Sequence, residues 1–270
     1  MRAIRRILIV VLVLLVAGQI ATNAYMQSQD KADPPVISCP SEVLEVSALD
    51  KKAVLLTDVT VYDPQDGEIP KENIILGGIS QLISEDTAKV TLLVFDSDNN
   101  MGMCTRYIRY RDYSRPHFEI ISPLICSTAE EISLSTRLTA TDVLDGDISD
   151  RIVISRLDKT QNPEIYLMTI HVTNSVRDIA TLQLPLLMQG YNPQRPEIKL
   201  RDHLIYLEKG AAVDIESNVL SVWSYEGDVE NSAVEITGSV DTTQAGTYHV
   251  FYSYTDINGT GMATLTVVVQ

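Results

Sequence analysis

A short acidic segment occurs three times in this chain, at intervals of about eighty residues. It reads YDPQDGEIP at residues 62–70, TDVLDGDIS at 141–149 and WSYEGDVEN at 223–231. A proline that leads into a short strand precedes each copy, and a long segment of alternating polar and apolar residues follows it. A repeat of this length predicts that one small folding unit occurs three times.

The residues between these landmarks are those of β-strands. Valine, isoleucine, threonine and tyrosine dominate, and glycine, proline, asparagine and aspartate interrupt them at short intervals. In residues 247–256, Tyr248, Val250 and Tyr252 share one face, and the residues between them share the other. No helical periodicity is visible after Met26. The sequence therefore predicts an all-β chain of small sandwiches.

The N-terminal segment combines a basic flank with an apolar run. Arg5 and Arg6 directly precede residues 7–18, which are apolar, and the run continues weakly to about Met26. This pattern predicts a transmembrane signal-anchor over residues 1–26, with the N-terminus cytoplasmic and the remainder outside the cell. The alternative is a signal peptide that is cleaved after residues 22–24, which would make the protein secreted.

The charge of the chain excludes one class of partner. The formal net charge is −15, and without the three arginines that precede Asp30 it would be −18. An acidic surface repels phosphate backbones, so we expect no nucleic-acid partner.

Residues 238–269, GSVDTTQAGTYHVFYSYTDINGTGMATLTVVV, resemble the last three strands of bacterial Ig-like surface modules. That family also occurs in hyalin-repeat proteins and in certain pesticidal crystal toxins. ISCP at residues 37–40 and DNNMGMC at 98–104 are similar to the hyalin-repeat variant. The resemblance implies an all-β chain of three tandem Ig-like β-sandwich domains, with domains at 35–113, 114–191 and 192–270 and a linker at 27–34.

The same resemblance implies a disulfide, because the hyalin-repeat variant pairs the cysteines that correspond to Cys39 and Cys104. An extracytoplasmic compartment permits that bond. Cys126 has no second cysteine in its own unit, so a buried thiol and an intermolecular disulfide remain the alternatives.

The acidic segments have two interpretations. They could be turns in which the first aspartate caps the backbone and the glycine adopts a positive φ. They could also bind calcium, since they cluster hard oxygen ligands near two later loops. The candidate calcium ligands are Asp63, Asp66, Glu68, Asp96, Asp98, Asp142, Asp145 and Asp147.

Two other stretches are candidate partner-binding surfaces. One is a Tyr/Arg patch on a strand and linker, for which arginine pairing with nearby acids on an edge strand is the alternative. The other is an aromatic pair that could stack on a sugar or plug the end of a sandwich. The candidate residues are Tyr107, Arg109, Tyr110, Arg111, Tyr113, Trp223 and Tyr225.

The sequence contains no catalytic constellation, so we expect no enzyme activity: its four histidines are scattered, and it has no nucleophile elbow or phosphate-binding loop. The linkers YSRP and YNPQRP are short and contain proline, which predicts a semi-rigid rod. The sequence as a whole predicts a membrane-anchored extracytoplasmic binding or adhesion protein whose rod meets an extracellular protein or glycan. The alternative is a structural or spacer subunit of a cell-envelope assembly.

Overall fold

The computed structural model describes residues 2–29, 33–39, 43–127 and 134–270. Its first element is helix α1, Arg2–Gln29. No helix within these ranges is long and apolar enough to cross a membrane. The predicted membrane anchor, and with it the single-pass localisation with a cytoplasmic N-terminus, is therefore wrong. The strongly apolar run of residues 7–18 would extend only ~18 Å at the helical rise, whereas a bilayer core is ~30 Å thick, and Gln19 and Asn23 follow it.

Apart from one short α-helix and three single-turn 3-10 helices, every regular element in the rest of the described chain is a strand, which confirms the all-β prediction. We call residues 35–113, 114–191 and 192–270 the first, second and third segments. The strands of the first segment are β1 (Val36–Ser38), β2 (Val43–Val46), β3 (Thr60–Asp63), β4 (Gly67–Glu68), β5 (Ile75–Ile79), β6 (Thr87–Phe95) and β7 (Met101–Tyr110). Those of the second are β8 (His117–Ile120), β9 (Ile125–Cys126), β10 (Leu138–Asp142), β11 (Gly146–Asp147), β12 (Val153–Lys159), β13 (Ile165–Thr173) and β14 (Ile179–Met188). Those of the third are β15 (Glu197–Leu200), β16 (Leu204–Leu207), β17 (Val219–Ser224), β18 (Gly227–Val229), β19 (Glu235–Thr237), β20 (Gly246–Asp256) and β21 (Gly259–Val269).

The three segments have the same strand order. Each contains one three-stranded and one four-stranded sheet: β1-β3-β4 with β2-β7-β6-β5, then β8-β10-β11 with β9-β14-β13-β12, then β15-β17-β18 with β16-β21-β20-β19. Pairing is antiparallel except where β2, β9 and β16 run parallel to β7, β14 and β21. A single-turn 3-10 helix follows the acidic turn in each segment, at Lys71–Asn73, Ser149–Arg151 and Asn231–Ala233.

The alternation of buried and exposed residues along the long strands determines which side chains form the cores. On β20, Val250 and Tyr252 are fully buried, as their shared face predicts. On β13, Met168, Ile170 and Val172 are buried in the same way. One short helix was not predicted: α2, Lys52–Leu55, buries Leu55 and is too short for its periodicity to be visible in the sequence.

The described chain divides into two compact units, Met1–Arg111 and Asp112–Gln270. The second unit contains the second and third segments, which pack on each other. The backbone N–H of Phe118 donates a hydrogen bond to the hydroxyl of Tyr206 over 3.2 Å. The ring of Tyr206 also meets His117 edge-on, with 5.0 Å between the ring centroids. The division into three separate domains stays a prediction.

Candidate functional site

The first two acidic segments form the same tight turn. Asp63 ends β3 opposite Gly67, and its Oδ1 accepts hydrogen bonds from the amides of Gln65 and Asp66 at 2.7 and 2.8 Å. Asp142 ends β10 opposite Gly146 and accepts from Leu144 and Asp145 in the same way. Both glycines have φ above +70°, where a side chain is strained. The local geometry therefore has every feature that the turn interpretation predicts.

The second aspartate of each turn contacts the loop between the last two strands of its segment, which we call the late loop. Asp66 accepts from the backbone and the hydroxyl of Ser97, at 2.7 and 2.8 Å, in the turn between β6 and β7. Asp145 accepts from the backbone of Ser175, between β13 and β14, and from the guanidinium of Arg151. These hydrogen bonds lower the pKa of Asp145 below its ordinary value, although burial, the largest single influence, acts in the opposite direction. The acidic turn and the late loop are thus joined at one end of each sandwich.

Asp96 and Asn174 hold the late loops. The Oδ1 atom of Asp96 accepts from the amides of Asp98 and Asn100, and that of Asn174 accepts from Val176 and Asp178. Burial raises the pKa of Asp96, but the hydrogen bonds from Asn100 and Asp98 outweigh it and bring that pKa below its ordinary value.

Three of the predicted calcium ligands lie away from this arrangement. Glu68 pairs with Tyr62 across β3 and β4, so its side chain is on the opposite face of the sheet from Asp63. Asp147 instead accepts hydrogen bonds from the backbone and hydroxyl of Ser149. The side chain of Asp98 is exposed at the tip of its loop. In the described ranges, no group of three or more acidic, histidine or cysteine side chains converges as a metal site.

The third segment joins its acidic turn to its late loop with different residues. Ser224, rather than Trp223, lies opposite the turn glycine, Gly227. Its hydroxyl donates to Oδ2 of Asp256 over 2.6 Å, and Asp256 holds the β20–β21 turn through the amide of Asn258.

The residues of the predicted Tyr/Arg patch do not share one surface. Strand β7 is flanked by β2 and β6, so it is a central strand and not an edge. Its alternation exposes Tyr107 and Arg109 and buries Tyr110, which is only 5% accessible. Arg109 lies 3.9 Å from Glu45 and 3.8 Å from Asp86, as the ion-pairing alternative predicts.

The remaining patch residues contribute little to one surface. Arg111 is exposed at the end of the first unit. Tyr113 belongs to the second unit, where its hydroxyl donates to Asp178 over 2.8 Å and accepts from Asn174 over 2.9 Å. Burial, followed by the bond to Asp178, raises the pKa of Tyr113 well above its ordinary value, so the phenol stays protonated.

The cysteines of the first segment are close together. The Sγ atoms of Cys39 and Cys104 lie 2.6 Å apart. Burial and the Cys104 thiol raise the pKa of Cys39 to about 12, so a reduced pair would be unreactive at neutral pH. The disulfide between them stays a prediction. Cys126 is buried in the core of the second segment.

A cleft of about 530 Å³ opens in the second unit beside Trp223. Trp223 is 45% exposed on the outer face of β17, and Tyr225, which is 62% exposed, does not line the cleft. Polar groups share the walls: Gln189, Arg195 and His203 face the cleft alongside proline and methionine side chains. Burial lowers the pKa of His203, so its ring is neutral at pH 7. Trp223 is recognisable from the sequence, whereas these polar residues are not, because they come from separate parts of the chain and carry no motif.

The paired sheets define an Ig-like class of β-sandwich. Residues 205–269 match the family model described as bacterial surface protein, Ig-like domain. The match covers about a quarter of the chain and includes the stretch whose resemblance was strongest. No curated protein sequence matches the chain.

The chain also matches several solved structures at low similarity. The Clostridium perfringens ZmpB structure, an M60 catalytic domain with CBM51-1 and CBM51-2, is 12% identical with a TM-score of 0.24 over 87% of this chain and 30% of its own. Human CDH23 EC21-23 is 10% identical with a TM-score of 0.21, over 87% and 100%. Drosophila N-cadherin EC1-4 is 14% identical with a TM-score of 0.22, over 88% and 76%. The chain spans less than a third of the ZmpB structure, and likeness at this level carries no argument about function.

Proposed function

We propose that this protein is an extracellular binding or adhesion module that holds a ligand without transforming it. The cleft beside Trp223 is the observation that carries the proposal. Its volume lies within the range of small-ligand sites, and it combines an exposed aromatic ring with a few convergent polar groups. The match of residues 205–269 to a family of bacterial surface proteins supports an extracellular setting.

A glycan is the ligand class that this chemistry fits best. A sugar ring presents a face of C–H groups, which packs on an aromatic ring, and a rim of hydroxyls that need donors and acceptors. Trp223 would supply the aromatic face. Gln189 can donate and accept, the neutral His203 offers a ring nitrogen, and Arg195 offers N–H donors.

The absence of catalysis is part of the proposal. The cleft holds no nucleophile paired with a base, and no metal cluster is present in the described chain. Trp223 and its neighbours would therefore bind and orient a ligand while leaving its bonds intact.

Binding of the full chain to a glycan array tests this function, with Trp223→Ala and Tyr225→Ala as a matched pair. Both variants remove an exposed aromatic side chain, two residues apart, but only Trp223 lines the cleft. We expect Trp223→Ala to weaken binding about tenfold or more, as for a central aromatic anchor, and Tyr225→Ala to leave it unchanged. Equal affinities for the parent protein and Trp223→Ala would show that the cleft is not the binding site.

A second candidate function is that of a structural or spacer subunit of the cell envelope. The exposed side chain of Tyr107 on the outer face of β7 favours it, because tyrosine is common at the centres of protein interfaces. The short proline-containing linkers, which predict a semi-rigid rod, suit a spacer as well. Chemical cross-linking on intact source cells separates the two functions. One defined envelope protein joined near Tyr107, together with no glycan binding, would favour the spacer.

A further inference from the structure

The first segment contains a buried carboxylate in which only one of the two oxygens accepts hydrogen bonds. Asp63 is fully buried, with an exposed fraction of 0%. Its Oδ1 accepts two amide hydrogen bonds, but its Oδ2 has no hydrogen-bond partner in the described part of the chain. Leaving a buried anionic oxygen without a partner is costly, so something should stabilise this atom.

The second segment shows how the same atom is satisfied elsewhere in the chain. Oδ2 of Asp142 accepts a hydrogen bond from Nδ2 of Asn174 over 3.1 Å. Both groups are buried, and the amide carries no charge. The pair therefore consists of one acid and one neutral donor.

The corresponding pair in the first segment consists of two acids. Asp96 occupies the position of Asn174, because the two late turns have the same hydrogen bonds. Asp96 donates its backbone N–H to the carbonyl of Asn100, and Asn174 donates its own to that of Asp178, both over 3.1 Å. Their Oδ1 atoms also accept from equivalent amides. Oδ2 of Asp96, which accepts a hydrogen bond from Nδ2 of Asn100 over 2.8 Å, thus occupies the position where Asn174 presents an N–H group.

The third segment also pairs an acid with a donor, since Ser224 donates to Asp256. Among the three, only the first has an acid at both of these positions. In the described ranges no lysine or arginine forms an ion pair with Asp63, Asp66 or Asp96, whereas Arg151 pairs with Asp145 in the second segment. The missing element in the first segment is therefore a hydrogen-bond donor or a positive charge beside Oδ2 of Asp63.

We propose that the first segment binds a divalent cation of the calcium type between Asp63 and Asp96, and that the second and third segments do not. Two carboxylates balance its charge, and backbone carbonyls and water would complete a shell of hard oxygens. Asp66, whose two oxygens are engaged by Ser97, holds the late loop against the turn. A site with two acidic side chains also agrees with the lack of any three-carboxylate cluster among the residues that the structure describes.

Hydrogen–deuterium exchange of the full chain, in Ca²⁺ and in a chelator, tests the site. Extracellular modules bind calcium with dissociation constants on the order of 10⁻⁴–10⁻³ M. At a Ca²⁺ concentration of about one hundred times that constant, exchange in residues 63–67 and 96–100 should slow by about a hundredfold. The equivalent turns at 142–146 and 174–178 serve as an internal control and should not respond. No change in the first pair of turns, or equal slowing in both pairs, overturns the proposal.

Asp96→Asn and Asp98→Asn form a matched pair of variants. Both remove one negative charge from the same loop, but only Asp96 occupies the position of Asn174, whereas Asp98 is exposed at the loop tip. Asp96→Asn recreates in the first segment the acid–amide pair of the second. In this variant, residues 63–67 and 96–100 should exchange slowly without Ca²⁺, and adding Ca²⁺ should not change their exchange. Asp98→Asn should respond like the parent protein. A full Ca²⁺ response in Asp96→Asn would show that any bound cation lies elsewhere.

Discussion

Asn174→Asp is the substitution that most directly tests the corner in which the acidic turn meets the late loop. The side chain of Asn174 is 3% exposed. Its Nδ2 donates to Asp142 over 3.1 Å and to the hydroxyl of Tyr113 over 2.9 Å. The substitution keeps the size of the side chain and its Oδ1 acceptor, and replaces the donor with a second carboxylate oxygen.

The cost can be worked out for both states of the new carboxyl group. If it is ionised beside Asp142, the repulsion between two charges about 4 Å apart is about 4 kcal/mol at an effective dielectric constant of 20. If it is protonated, it can donate to Asp142 as the amide does. Taking up that proton at pH 7, from an ordinary pKa of about 3.9, also costs about 4 kcal/mol. We therefore expect a loss of about 4 kcal/mol in the free energy of unfolding at pH 7.

The protonation route gives the loss a defined pH dependence. Burial raises the pKa of Asp96 as well, but the Nδ2 donor of Asn100 lowers it most, and the second segment has Asp178 at that position. Burial beside Asp142 therefore raises the pKa of the new carboxyl group in the folded state above its unfolded value. The penalty is therefore absent below about pH 4 and grows as the pH rises, reaching about 1.5 kcal/mol at pH 5 and about 4 kcal/mol at pH 7.

Urea unfolding in the presence of a chelator measures this loss. The chain contains one tryptophan, Trp223, which lies in the same compact unit as Asn174, so its fluorescence reports on that unit. With a slope of about 2 kcal/mol/M, the midpoint should fall by about 2 M at pH 7. Asn162→Asp is the control, because Asn162 is exposed and its Oδ1 keeps its role as acceptor for Glu164. Its effect should stay within about 0.5 kcal/mol. A loss below about 1 kcal/mol for Asn174→Asp, or equal losses at pH 5 and pH 7, would refute the reasoning.

Two further predictions concern stability. If Cys39 and Cys104 form a disulfide, alkylation of the unfolded, unreduced chain will modify Cys126 alone. Cys104→Ser will then lower the free energy of unfolding of the first unit by about 4 kcal/mol, since the bond closes a loop of 65 residues; alkylation of Cys39 in the parent protein would contradict this. Gly261→Ala should destabilise the second unit by about 1–3 kcal/mol, because the added Cβ would lie 2.1 Å from the carbonyl oxygen of Pro196. Gly190→Ala, with nothing within 4 Å of its Cβ, should be neutral in the same urea titration.

The strands and their faces could be predicted because each depends on neighbours in sequence. Alternation over residues 247–256 predicts which side of β20 is buried, and Val250 and Tyr252 are buried there. The turn conformation at Asp63 and Asp142 also follows from local chemistry, since an aspartate accepts the amides of the residues that follow it.

The features that sequence analysis missed depend on strand register and on distant partners. Counting back four residues from Gly227 aligns Trp223 with Asp63, whereas the third turn is one residue shorter and Ser224 occupies the position. Tyr113 was grouped with its neighbours in the patch, but it bonds to Asn174 and Asp178, about sixty residues later. The anchor was predicted from a basic flank and an apolar stretch that continues weakly to about Met26, but no described helix is long and apolar enough to span a membrane.

The hydrogen bond from Phe118 to Tyr206 has a mechanical consequence. Tyr206 lies on β16, which pairs in parallel with β21 near the C-terminal end of the chain. Phe118 lies on the first strand of the second segment. A load applied at the C-terminus therefore acts on the third segment through β21 and on the second segment through the contact between Tyr206 and Phe118. Pulled in an atomic force microscope, residues 112–270 should yield in one rupture that releases about 500 Å of chain, where two uncoupled sandwiches would give two ruptures of about half that length.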